Sequence, residues 1–132
     1  MIQKTLKSVA AFALLASMAS AAPFDFSYTG PPLAFDPPDS LTVPIVVTDS
    51  GEITDLNVEV NITSAFVEEI GISLEHVETG TIVELRPQQA GQSQTNMVGT
   101  IFDDEATDPI TSGSGPYTGS FQPVAGPLSD FD

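Results

Sequence analysis

Asp103, Asp104 and Glu105 stand in a row with Asp108 close behind, the densest acidic cluster of the chain. Hard cations take about six to eight oxygen ligands, and carboxylates grouped in one loop can supply several of them. Calcium is therefore the cofactor this cluster could hold, with Asp103, Asp104 and Glu105 as candidate ligands. The spacing is not that of an EF-hand, and the same residues would also make a solvated acidic turn in which one Asp bonds the backbone. Glu68 and Glu69 invite an acid/base reading. Neighbours on a strand point to opposite faces, so the two are poorly placed to act on one bond and are expected to be a solvated pair. His76 is the single histidine, hence the only base available to a Ser-His-Asp triad. No Gly-x-Ser-x-Gly elbow accompanies it, and a zinc site would need further histidines. No cysteine is present, which excludes thiol catalysis, thiolate metal sites and disulfides. No residue is therefore assigned a catalytic role.

The elements that must position these residues read as β structure. Leu56, Val58, Val60 and Ile62 alternate with Asn57, Glu59 and Asn61, the period of a half-buried strand. Ile70, Ile72 and Leu74 repeat the pattern, and 82–85 is a shorter β-branched run. Residues 41–48 form another candidate, marked by Pro44 as an edge or bulged strand. Phe24, Phe26 and Tyr28 predict a first strand, and 117–121 a last, weaker one. Asp49-Ser50-Gly51, Glu78-Thr79-Gly80 and the Gly/Ser run ending in Pro116 are turn signals; 86–96 is a polar loop. Pro31-Pro32 and Pro37-Pro38 stiffen 29–40 into an extended connection. The predicted core is Leu56, Val58, Val60, Ile62, Ile70, Ile72, Leu74, Val83, Leu85 and Phe102. Short strands, many turns and no helical period predict an all-β sandwich or barrel.

Residues 1–22 predict a secretory signal. Lys4 and Lys7 precede a short apolar run, and Ala19-Ser20-Ala21 supplies a small-x-small cleavage site, with the cut near Ala21 or Ala22. The run is shorter than the roughly 20 residues of a membrane-spanning helix, so no stable membrane insertion is expected after cleavage. The expected product is one domain, 23–132, secreted or periplasmic, from a bacterial chain. It would carry Arg86 alone against all 18 carboxylates, a formal charge of −17. Such a balance excludes nucleic acid and anionic membrane surfaces as partners, because nothing neutralises their phosphates. Arg86 itself is expected in a structural ion pair that ties the polar loop to the sheet. Asn61-Ile62-Thr63 fits a glycosylation sequon, silent in a bacterial context, with Asn61 facing outward.

Three blocks occur in order: Phe102-Asp103-Asp104-Glu105-Ala106, then Pro116-Tyr117-Thr118-Gly119-Ser120-Phe121-Gln122-Pro123, then Pro127-Leu128-Ser129. Upstream lie Val58-Glu59-Val60-Asn61-Ile62-Thr63, Gly80-Thr81, Leu85-Arg86 and Asn96. Together, over about residues 24–131, they resemble the P domain of kexin- and furin-like proprotein convertases. The resemblance implies a jelly-roll-like, galactose-binding-like β-sandwich. It also implies a non-catalytic module that stabilises and regulates a subtilisin-like protease; some P domains bind calcium. The chain departs from the family at Ser64, Ala65 and Phe66, where His-Thr-aromatic is usual, and at the turn 76–81, which keeps only Gly-Thr. It also lacks tryptophan and the family's last two strands. A C-terminally truncated sandwich, a fragment of a longer secreted product, is the resulting expectation; a strand supplied in trans is the alternative. The expected partner is a subtilisin-like protease or another secreted protein.

Two other classes remain open on the residues. One is a calcium-dependent adhesive or carbohydrate-binding module, with Phe24, Phe26, Tyr28, Phe35, Phe66 and Tyr117 as its available aromatics. The other is a small secreted hydrolase using paired carboxylates, whose geometry sequence does not define.

Overall fold

The computed structural model describes residues 23–36, 39–89 and 94–131. The proposed signal segment, 1–22, lies outside the described residues. Among them, regular structure consists of five strands and three short 3-10 turns: β1 (Val58–Ile62), β2 (Ile72–His76), β3 (Thr81–Arg86), β4 (Met97–Phe102) and β5 (Gly119–Phe121). The turns are Val67–Glu69, Ile110–Ser112 and Leu128–Phe131. The protein is all-β. Two small sheets form, one ordered β1-β4-β5 and one the hairpin β2-β3.

The hairpin follows directly from its sequence. Alternating Ile72, Leu74 and His76 pair antiparallel with Thr81–Arg86, and Gly80 closes the turn by donating its N–H to the His76 carbonyl at 2.8 Å. Gly80 has φ +70°, a region glycine enters without steric cost.

The three-stranded sheet is less regular. β1 runs antiparallel to β4 with Val60 opposite Thr100 but Ile62 opposite Met97, so β4 carries one extra residue around Gly99. Gly99 has φ +59°, and its N–H is caught by the Asn61 Oδ1 at 2.8 Å. Asn61 faces outward, as its place in the alternation predicts, and its amide clamps the bulge. β5 lies parallel to β4, pairing Phe121 with Phe102.

The core comprises Val67, Ile70, Val83, Leu85, Met97, Phe102, Ile110, Tyr117, Leu128 and Phe131. Four of these, Ile70, Val83, Leu85 and Phe102, are core positions read from the sequence. Leu56, Val58, Val60, Ile62, Ile72 and Leu74 are half-buried and pack against them. Of the members the sequence reading missed, Met97 opens β4, whose bulge breaks the alternation, and Val67, Ile110, Tyr117, Leu128 and Phe131 come from turns and loops, where no period marks them.

Two expected strands do not form among the described residues. Neither 24–28 nor 41–48 enters a ladder, and both are largely exposed. Alternation supplies a strand's faces but not its neighbour; without a partner, the backbone groups face solvent.

No described helix is long and apolar enough to cross a membrane.

Candidate functional site

The blocks that carry the family resemblance meet around two charged side chains, Arg86 and Asp104. Arg86 ends β3 and is fully buried. Its Nη1 donates to the carbonyls of Val67 and Ile70, each at 2.7 Å, and so holds the first 3-10 turn. The guanidinium lies 5.3 Å from the centroid of the Tyr117 ring, within cation–π range. Nε and Nη2 have no partner among the described residues. Among the described residues the expected ion pair is thus replaced: carbonyls and an aromatic face hold this cation, not a carboxylate. Carbonyl dipoles and a ring quadrupole can do so because burial strengthens both interactions.

Tyr117 is buried beneath it, with φ +51° and a hydroxyl that has no partner among the described residues. The Thr100 hydroxyl donates to the Tyr117 carbonyl at 2.6 Å, and Phe121 meets the ring edge-on at 6.2 Å. Burial withdraws Tyr117 from the aromatics available to a carbohydrate. Phe24, Tyr28 and Phe66 remain exposed, and Phe26 and Phe35 are half-buried.

The polar loop is tied down beside Arg86 by Glu68. This residue is buried, not solvated as expected, because the 3-10 turn rotates it inward. Its Oε2 accepts the Gln94 N–H at 3.1 Å and its carbonyl accepts the Gln89 N–H at 2.8 Å. Glu69 is exposed, so the two carboxylates do not face one site. Asn96, in the left-handed region at φ +58°, closes the loop through reciprocal bonds with Ser64, each 3.0 Å.

Asp104 joins the Phe-Asp-Asp-Glu-Ala block to the Pro-Leu-Ser block. Its Oδ1 accepts the Leu128 N–H at 2.8 Å and its Oδ2 the Ser129 N–H at 3.0 Å. A carboxylate in that position satisfies backbone donors of the last 3-10 turn, which would otherwise lack partners. Asp104 also lines a shallow groove of about 320 Å³ with Gln122, Pro123, Gly126 and Pro127. Asp103 turns locally, its Oδ1 accepting the Glu105 N–H at 2.8 Å. Asp103 and Asp104 thus serve as acceptors for backbone N–H groups of two turns. Both oxygens of Asp104 already accept N–H groups, and among the described residues no three carboxylates or imidazoles converge closely enough to hold a metal ion.

The Glu105 carboxyl is raised from its ordinary value, chiefly because its side chain shares a hydrogen bond with Asp103. A raised folded-state value means that this contact supports the fold below the usual glutamate pKa and is lost as pH rises through the raised value. Glu105→Gln should therefore leave the melting temperature unchanged near pH 4 and raise it slightly at pH 7, where it removes carboxylate repulsion. Thermal melts at both pH values check this.

His76 is half-buried at the end of β2. Its Nδ1 bonds the Thr79 hydroxyl at 2.8 Å, that hydroxyl bonds Thr81 at 2.8 Å, and the ring meets Phe131 edge-on. It knits the hairpin turn.

Two roles escaped the sequence reading: the burial of Arg86 over Tyr117, and Asp104 as the link to Leu128 and Ser129. The order of the three blocks was their only signal. No family model, curated protein or solved structure matches this chain.

Proposed function

We propose that the chain is an exported, non-catalytic module of P-domain type, a jelly-roll-like sandwich whose role is to bind and stabilise a partner protein such as a subtilisin-like protease. One observation carries the proposal. The residues that make up the resemblance are the ones through which distant parts of the chain hold each other. Arg86 reaches Val67, Ile70 and Tyr117; Asn96 reaches Ser64; Asp104 reaches Leu128 and Ser129. Such use favours a shared scaffold over a chance run of similar letters.

Titration of the full chain into a purified subtilisin-like protease domain tests the proposal. The expected result is a concentration-dependent rise in the protease's melting temperature, since a ligand that binds only the folded state stabilises it. The chain alone should release no product from peptide or glycoside substrates. An unchanged protease melt would overturn the companion role. Turnover by the chain alone, abolished by changing one carboxylate, would revive the hydrolase.

A second reading, a carbohydrate-binding or adhesive module, draws on the exposed rings of Phe24, Tyr28 and Phe66, of which Phe24 stacks on Phe26 at 6.4 Å. Retention on polysaccharide columns separates it from the first.

A further inference from the structure

Residues 41–48 are apolar apart from Thr42 and Thr48, uncharged and free of any turn or bend, yet belong to no sheet among the described residues. Leu41, Val43, Ile45 and Val47 alternate along them and are 41%, 39%, 47% and 61% exposed. None of the backbone groups of 41–48 has a backbone partner among the described residues. In an extended strand, alternate residues present their N–H and C=O groups to opposite edges. Pro44 lacks an N–H and so interrupts the edge shared by the even-numbered residues. The odd-numbered edge, from Leu41 through Val47, is uninterrupted. An open edge of this kind is a template for another strand.

The charges around it select the occupant. Asp36 and Asp39 precede the segment, Asp49, Glu52 and Asp55 follow it, and all five are exposed. No lysine, arginine or histidine occurs between Pro23 and Glu75. Antiparallel pairing of two copies would bring these carboxylates against one another, and an anionic bilayer would be repelled in the same way.

We propose that residues 41–48 are a strand-addition site for a partner protein whose edge strand alternates apolar residues and carries lysine or arginine at its ends. The inference rests on this segment alone and stands apart from the P-domain reading. Backbone hydrogen bonds along the odd edge would supply affinity, and the acidic flanks would set register and exclude acidic strands.

The test uses the full chain and three fluorescent nonapeptides, each followed by anisotropy. The first alternates valine and threonine between two lysines at each end. The second replaces the lysines with glutamates. The third keeps the lysines but is N-methylated on alternate residues, which removes strand hydrogen bonding at constant charge. The first should bind, with affinity falling as salt is raised; the other two should bind at least about tenfold more weakly. Ile45→Pro, on the open edge, should weaken the first peptide by about tenfold, whereas Val46→Pro, on the edge already interrupted, should hold it within about threefold. Neither position bears a backbone bond among the described residues, so both variants should melt like the parent. Equal binding of the N-methylated peptide would overturn the proposal in favour of simple charge attraction. So would failure of the lysine peptide to bind, or a dimer of the chain in sedimentation.

Discussion

Arg86→Ala should lose about 3–5 kcal/mol of stability, the range found when a buried charge or large side chain is removed from a packed site. The side chain is fully buried, its Nη1 serves the Val67 and Ile70 carbonyls, and its plane covers Tyr117. Truncation leaves a void over that ring and takes a donor from both carbonyls. The carbonyl of Val67 keeps the Ile70 N–H at 3.0 Å, so Ile70 carries more of the loss. Small domains have only about 5–15 kcal/mol in total, and the variant should unfold at markedly lower urea. Arg86→Met separates packing from charge. It fills the volume and removes two donors, Nε and Nη2, that have no partner among the described residues and whose burial is then itself unfavourable. Its cost should be about 1–3 kcal/mol, the range for leaving a buried polar group without a partner. Urea melts of the two variants, compared at one pH, decide the point. Equal losses would mean that the guanidinium's charge, and not the space it fills, holds this part of the core.

Asp104→Ala should cost about 2–3 kcal/mol, because it removes two charge-assisted bonds to backbone N–H groups at once. The last 3-10 turn brings Leu128 and Phe131 into the core, so its release exposes both. Asp104→Asn keeps one oxygen acceptor and should lose roughly half as much. If Asp104 acts as a cap, the loss is the same in chelator and in calcium. A wild-type melting temperature that rises on adding calcium to chelated protein, and an Asp104→Ala variant that shows no such rise, would instead give this carboxylate a metal.

Much of the hairpin was legible beforehand. Ile72, Leu74, Val83 and Leu85 alternate, and Glu78-Thr79-Gly80 marks the turn, because strand faces and tight turns leave local traces. β1 was legible for the same reason. β4 was not: Gly99 and the bulge opposite Asn61 break its alternation, and burial around it falls on Met97, Thr100 and Phe102 out of step. Residues 41–48 show the converse failure. Their pattern is a good strand pattern, yet pairing needs a neighbour, and none of the described residues supplies it. At the candidate site, Asp103, Asp104 and Glu105 stood out as a cluster, but their chemistry did not. A row of carboxylates reads alike whether it faces a cation, solvent or the backbone of a turn.

By itself the sequence determined the all-β class, the β2-β3 hairpin, the strongly acidic balance and the residue types at the site. Each is a local or additive property: alternation, turn chemistry, a count of charges. Only the tertiary structure decided that β4 lies between β1 and a parallel β5. It alone set Arg86 over Tyr117, and Asp104 on a turn 24 residues away. Those choices depend on which chain segments close on one another, and loop closure leaves no period in the sequence. A buried guanidinium makes the point most directly. Arginine is usually exposed, and only a site that supplies two carbonyls and a ring makes its burial tolerable.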